Sequence, residues 1–424
     1  MSTFQRLNLG KLFCNFRGCM KVINKPAVLI SWPRELDMFL AFVDKILDNV
    51  VFVVDDFIYD EDERFENGKN IIGLLDGKVE YVLLSEVLGK VKYKILLSTG
   101  GQTYQRKITF YSYCKYFYAI YIGSLIEYFK LSKLFLKSIG RPLTGGGMRA
   151  DKFYKHSIER EIGIKVIKYP KGLDINKDRY PDDQWKDIFD IYLCHSDIDY
   201  GLIKNKFPKA ECLKIGYPRY NDAPSIEDAK KDIYNEIKGI DAEKPLLLWM
   251  PTFNRIQDEI IDNIEVWVPI VGKLLKDYNV LISVHPKLAV INPKILTYLS
   301  ETGLLVDAEK GRNLRVLYQS ADLVLADYGG PVLSSIYMKK KLVLLNSPSK
   351  KYANWRKKRM YIDDDVRNDV HVFNVSDGTA LIEQINASIQ DKDSLKTNRL
   401  KEKYFGKDCN YEELREIFNN LLSV

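Results

Sequence analysis

"ADLVLADYGGPVLSS", residues 321–335, sets an apolar run, Leu323–Ala326, against an Asp-Tyr-Gly-Gly-Pro turn and then a helix-like stretch. A short apolar run bounded by turn residues reads as a buried strand. Two adjacent glycines let the chain leave that strand sharply and let a ligand approach the backbone. Pro331 suits the first turn of a helix, where its missing N–H removes no hydrogen bond. The stretch is therefore a strand–turn–helix unit, the repeating element of a parallel α/β sheet.

The habit recurs along the chain. The first half carries "AVLI" at 27–30, a helical pattern over 33–49, "VVFVV" at 50–54, "VEYVLL" at 79–84 and "KYKILLS" at 92–98. The second half carries "PLLLWM" at 245–250, a helical pattern over 264–278, "VLISV" at 280–284, "GLLVD" at 303–307 and "KLVLLN" at 341–346. With 424 residues the chain exceeds the roughly 250–300 that one core supports. The expectation is an α/β protein of two Rossmann-like domains facing each other across a cleft, with ligands at the carboxyl ends of the strands. Turn residues and a polar helix over 223–244 mark the connection. They divide the chain into an N-terminal domain over 1–225 and a C-terminal domain over 240–424, closed by an amphipathic helix starting at Asn410.

Composition narrows the function classes. At 46% hydrophobic and 29% charged residues the chain is globular, neither disordered nor fibrous. Its six cysteines have no metal-like spacing, which excludes a zinc ribbon and a disulfide scaffold and suits a reducing compartment. The first 25 residues show neither a secretory signal nor a membrane anchor, so a cytoplasmic location is expected.

The net charge of +7 is unevenly spread. Between Arg106 and Arg141 seven basic residues face Glu127 alone, among ten tyrosines and phenylalanines. Lys339 to Arg359 holds nine positive charges and no acid. Such blocks meet an anionic partner or are a solvated surface. Within the first, 108–137 suits contact with the inner face of a membrane; a buried helix with a basic outer edge explains it equally. No nucleic-acid reader motif accompanies either block.

Four motifs sit after strands or just before the connection. Leu246–Met250 runs into Pro251-Thr252-Phe253-Asn254, and Leu281–Val284 into His285-Pro286-Lys287. Leu323–Ala326 runs into Asp327-Tyr328-Gly329-Gly330, and Gly216-Tyr217-Pro218-Arg219 precedes the connection. Pro286 holds His285 extended at its strand end, and an imidazole with Lys287 two residues on can meet a pyrophosphate or protonate a leaving phosphate. A lone histidine is more often structural. The Gly329-Gly330 turn offers a helix N-terminus to an anion, with Ser334 and Ser335 one turn in; a turn that merely closes a β-α unit has the same sequence. Asp327 reads as a ribose or base contact, or as a helix cap. Arg219 suits a bidentate phosphate contact or a solvated turn, and Thr252 and Asn254 suit a nucleotide contact or a cap.

The set and order of these motifs resemble the CDP-glycerol glycerophosphotransferases, teichoic-acid-type polyol-phosphate transferases of the two-domain GT-B fold. "LLLWMPTFN" is similar to that family's strand plus "APT", "ISVHPKL" to its histidine-proline element, "ADYGG" to its "TDYSS", and "GYPRYND" to its "GYPRND" with one residue inserted. The similarity runs from about Ile191 to Leu345.

The resemblance implies an acceptor-side N-terminal domain and a donor-binding C-terminal domain. His285 would sit by the donor diphosphate with Lys287, the turn from Asp327 to Ser335 would take a phosphate, Arg219 would lie near the cleft, and Thr252 and Asn254 would line the donor pocket. The donor would be a CDP-activated alcohol, glycerol by default, the acceptor a glycan or lipid-linked hydroxyl, and CMP the leaving group. No cofactor and no tightly bound metal are expected.

Two departures stand out. Glycines replace the family's paired serines, so a backbone N–H, or Ser334 and Ser335, would take over their contact. Lys171-Gly172 stands where the family has an acceptor-base His-Gly, with Asp174 as another candidate base and Gly100-Gly101 a weaker positional match. A nucleotide-sugar glycosyltransferase of the same fold, and a non-catalytic nucleotide- or polyanion-binding protein, are the alternative readings.

Overall fold

The computed structural model describes residues 20–31, 33–55, 72–73, 75, 79–100, 158–172, 175–182, 185–186, 188–256, 259–261, 263–307, 312–391 and 393–423. The 106–141 segment, Gly101 and Asp174 lie outside the described residues, as do the side chains of Asn254 and Lys287.

Two parallel sheets organise the molecule. The N-terminal sheet contains β1 (Lys21–Ile30), β2 (Val51–Val54), β3 (Tyr81–Leu83), β4 (Val91–Ser98), β5 (Gly163–Lys168), β6 (Ile191–Cys194) and β7 (Glu211–Lys214). Their spatial order is β3-β2-β1-β4-β5-β6-β7, every pairing parallel. The second sheet is built from β8 (Leu246–Met250), β11 (Asn279–Ser283), β12 (Leu305–Asp307), β13 (Leu323–Ala326), β14 (Leu342–Leu345) and β15 (His371–Phe373), in the order β12-β11-β8-β13-β14-β15, again all parallel. Between β8 and β11 an antiparallel hairpin of β9 (Asn254–Ile256) and β10 (Glu259–Ile261) stands apart.

In each sheet the first strand lies inside and the chain winds outward one way, then the other. The reversal falls between β1 and β4 and between β8 and β13, and such a switch point opens a crevice beyond the carboxyl ends of the strands. This is the α/β, GT-B-like architecture expected from the sequence. The continuous apolar runs follow from helices on both faces. On one face of the second sheet Leu246, Leu248 and Met250 pack with Val332, Leu333 and Ile336 of the helix Gly330–Tyr337. On the other, Leu247 and Trp249 pack with Trp267, Leu381 and Ile385.

The helical pattern over 264–278 divides into an α-helix, Ile264–Val271, and a 3-10 turn, Gly272–Lys276. Pro269 lies inside the α-helical part and brings no N–H to its ladder, and past Val271 the chain tightens to the shorter repeat. Within 223–244 the helix Ile226–Glu236 is capped by Ser225 and buries Ala229 and Ile233, the latter in the core of the second sheet. The last helix, Tyr411–Ser423, crosses back to the N-terminal sheet. There Leu414 and Phe418 join its core, Phe418 meets Phe42 edge-on at 5.7 Å, and Arg415 donates to the Lys45 carbonyl at 2.8 Å. Among the described residues no helix is long and apolar enough to cross a membrane.

Candidate active site

The switch point of the second sheet is laced together by one carboxylate. Asp327, just past β13, is 1% exposed. Its Oδ1 accepts from the backbone N–H groups of Thr252 and Tyr328, each at 2.8 Å, and its Oδ2 accepts from Asn263 Nδ2 at 2.8 Å. Thr252, just past β8, donates its hydroxyl to the Tyr328 carbonyl at 2.8 Å. Burial pushes the Asp327 carboxyl up to about 6, against the opposing pull of these donors. Asp327 and Thr252 therefore hold two loops of the crevice to each other.

The Gly329-Gly330 turn is more selective than its sequence suggests. Gly329 has φ 75° and ψ −148°, a conformation that favours glycine. Its N–H donates to Asp363 Oδ2 at 2.8 Å. Pro331 has no N–H, and Val332 N–H is engaged with the Gly329 carbonyl at 3.2 Å. That leaves Gly330 N–H as the amide of the turn with no hydrogen bond among the described residues. A Cβ built on Gly330 would meet nothing within 4 Å, so there is space beside this residue at the start of the helix. Ser334 and Ser335, expected beside the phosphate, turn inward instead, at 3% and 0% exposure. Ser335 Oγ donates to the Pro331 carbonyl at 2.7 Å, and the Ser334 hydroxyl lies among the phenols of Tyr220 and Tyr318. Helical geometry at that spacing directs both side chains to the core.

His285 follows β11 and is exposed. Its ring stacks on Phe253 at 5.5 Å and 28°, and its carbonyl starts the short helix Pro286–Ile291 by accepting from Leu288 and Ala289. β11, β8 and β13 are consecutive in the sheet, so His285, Thr252 and the Gly330 turn share one carboxyl edge; His285 and the turn are two strands, or about 10 Å, apart. Arg219 is an internal brace of the N-terminal half: its Nε donates to Asp37 Oδ2 at 2.6 Å, on the helix Pro33–Ile46.

On the N-terminal side Lys171 is exposed in the loop after β5. A Cβ at the neighbouring Gly172 would meet nothing within 4 Å. Behind Lys171 lies a buried polar network that sequence reading missed. Lys168, 1% exposed, donates to the carbonyls of Thr99 and of Tyr169, the latter at 2.9 Å, and its Nζ lies 4.3 Å from the Trp185 ring centre. Burial, and then the charge of Lys171, hold its pKa well below the ordinary lysine value. Thr99 Oγ1 donates to Glu35 at 2.7 Å, Glu35 also accepts from Ser31 N–H at 2.9 Å, and Ser31 Oγ donates to Asp55 at 3.3 Å. His195, past β6, is fully buried; its Nδ1 lies 2.7 Å from the Gly216 carbonyl, and burial brings its pKa down to about 4. The available signal was a charged or polar residue directly following an apolar strand, as in "GIKVIK" and "IYLCH".

Asp363, Arg356 and Arg367 were also missed, because nothing local marks them. Arg356 and Arg367 flank the Tyr328 ring at 4.5 and 4.1 Å, and Arg367 also donates to the Asp327 carbonyl and, at 2.6 Å, to Asn346 Oδ1.

Two sheets with switch points, one carrying an exposed histidine at its carboxyl edge, define a GT-B-like architecture. The chain belongs to the CDP-Glycerol:Poly(glycerophosphate) glycerophosphotransferase family, whose model matches residues 161–413, more than half of its length. It is accordingly an enzyme of the CDP-glycerol glycerophosphotransferase type. Among solved structures, the wall teichoic acid polymerase TagF is similar over 95% of this chain and 89% of its own, at 12% identity and a TM-score of 0.57. TagF in its H548A form matches at 11% identity and 0.57. A UDP-N-acetylglucosamine 2-epimerase covers 95% of this chain and 96% of its own at 13% identity and 0.51. These likenesses are of fold. No curated protein matches the sequence.

Proposed function

We propose that this enzyme moves a polyol phosphate, glycerol phosphate by default, from a CDP-activated donor to a hydroxyl of a glycan or lipid-linked acceptor in surface-polymer assembly of the teichoic-acid type. The observation that carries the reading is the shared carboxyl edge of β11, β8 and β13, where exposed His285 and the open Gly330 amide flank the switch point. The acceptor oxygen attacks the distal phosphorus of the donor and forms a new P–O bond. The bond from that phosphorus to the bridging oxygen breaks, and CMP leaves with the bond's electron pair. His285 as imidazolium stabilises or protonates the departing phosphate, and Gly330 N–H and the helix start hold a non-bridging oxygen. Lys171, in the loop after β5, and Asp174 are the candidates to receive the acceptor proton; a lysine serves only with a depressed pKa. No resident cofactor is part of this reading.

The test presents CDP-glycerol, CDP-ribitol, CMP-sugars and UDP-sugars in parallel with candidate acceptors, following nucleotide release and phosphorus NMR. The expected result is CMP release with a new phosphodiester. UDP release with no phosphorus in the product overturns the reading in favour of glycosyl transfer, and no turnover with retained nucleotide binding favours a binding protein.

A further inference from the structure

The acceptor-side loop that carries Lys171 continues into the other domain. Ile175, Asn176 and Lys177 run antiparallel to Met360, Tyr361 and Ile362: Asn176 pairs with Tyr361, Ile362 N–H donates to the Ile175 carbonyl and Lys177 N–H to the Met360 carbonyl, both at 3.1 Å. Lys177 Nζ reaches Asp365 at 2.7 Å, and Ile175, 4% exposed, is packed in the same apolar core as Ile362. One residue beyond this bridge is Asp363, fully buried.

Asp363 Oδ2 accepts the Gly329 N–H at 2.8 Å and Arg356 Nη2 at 2.6 Å, whereas its Oδ1 is buried without a hydrogen-bond partner. Arg356 is fixed in turn by Asp364 at 2.8 Å and by the rings of Tyr328 and Tyr361 at 4.5 and 4.4 Å. A buried carboxylate with one oxygen unpaired is a poor stabiliser, since the unsatisfied atom keeps its desolvation penalty without a hydrogen bond to offset it. Its placement has a different consequence. By capturing the Gly329 amide it fixes the Tyr328–Gly329 peptide plane, while the Gly329 carbonyl, held by Val332 N–H at 3.2 Å, fixes the next plane, which carries the Gly330 N–H; Asp363 thus anchors the turn from which that N–H projects.

We propose that Asp363 is the positioning residue of the donor turn, and that the bridge from Ile175 to Lys177 makes its hold on Gly329 depend on the acceptor-side loop. The inference rests on the functional reading above for its kinetic consequence, but not for its structural one. Asp363 touches no substrate; it acts through Gly329.

Asp363→Ala, Asp363→Asn and Lys177→Glu, the last placing like charges at Asp365, test it in the full-length enzyme. Hydrogen–deuterium exchange of a peptide spanning Gly329 and Gly330 needs no donor. It should quicken at least 10-fold in Asp363→Ala and several-fold in Lys177→Glu, and stay within about 3-fold of the parent in Asp363→Asn, which keeps an acceptor oxygen. KM for whichever nucleotide donor the parent uses should rise about 10-fold in Asp363→Ala and in the same direction in Lys177→Glu, with acceptor KM within twofold. Assays run at a fixed interval below each variant's Tm separate this split from a general loss of stability. Unchanged exchange in Lys177→Glu overturns the coupling, and faster exchange with unchanged donor KM overturns the positioning role. Should Asp363→Ala fail to fold, Lys177→Glu and Asp363→Asn decide alone. A parent enzyme that uses no donor overturns the proposal together with the functional reading, whereas unchanged exchange overturns it by itself.

Discussion

The two sheets share a winding order but finish their carboxyl edges in opposite ways. Past β1, β4, β5 and β6 the N-terminal sheet closes over Glu35, Thr99, Lys168 and His195, each at most 1% exposed and satisfied largely by partners in the protein. Past β11, β8 and β13 the second sheet buries Asp327 but leaves His285 at the surface and the Gly330 N–H without a hydrogen bond among the described residues. One edge buries its polar groups and uses them to hold itself together; the other is held by Asp327 and Asp363 and leaves a histidine exposed. Lys171 is the exception on the closed side, exposed above the buried network.

The comparison can be broken most sharply at His285. His285→Ala should lower kcat by about 100-fold or more, in line with loss of a general acid, while its exposed position keeps the urea midpoint near that of the parent. Unchanged turnover removes His285 from the mechanism. Lys171→Arg comes next: arginine cannot act as a base near neutral pH, so turnover should fall by about 100-fold with loss of the corresponding limb of the pH–rate profile. An active Lys171→Arg variant excludes the base role.

The closed edge should respond in stability. Glu35→Ala leaves the Ser31 N–H and the Thr99 hydroxyl without their buried acceptor and should cost about 2 kcal/mol in urea unfolding; a cost near zero would mean that the edge does not support the domain.

Asp327 tests the other side through pH. Its folded pKa of about 6 lies above its ordinary 3.8, so the folded state binds the proton more tightly. The stability this adds is present below the unfolded value and is lost as pH rises through about 6. Relative to Asp327→Asn, the parent should therefore lose stability between pH 4 and 6, by at most about 3 kcal/mol, and the difference should be flat above pH 7. A flat difference throughout would show a carboxyl that titrates normally. The smallest effect is expected from chelation: EDTA should leave turnover within twofold, and a large, metal-restored loss would contradict catalysis by side chains and backbone alone.

Much of the fold was legible because the relevant signals are local. Apolar runs of four to six residues with turn residues after them marked β8, β11, β13 and β14, and the glycine pair marked a turn that only a flexible backbone makes. β5, β6 and β7 went unmarked, β6 and β7 being four-residue strands with a tyrosine, cysteines or charges among their apolar positions. At the candidate site, the same locality singled out His285, Thr252 and the turn as candidates, and it set Ser334 and Ser335 beside a phosphate, whereas their direction depends on which face of the helix Gly330–Tyr337 meets the core.

By itself, then, the sequence determined the two α/β halves, the loops that carry the candidate site residues and the flexibility of Gly329-Gly330, since each is a property of a few neighbouring residues. Only the tertiary structure decided how those groups are used. Gly329 finds its acceptor 34 residues away in Asp363, Lys168 reaches a carbonyl 69 residues back, and Arg219 pairs with Asp37 across 182. Such partners are brought together by sheet order and domain packing, and a buried donor takes whatever acceptor that packing delivers.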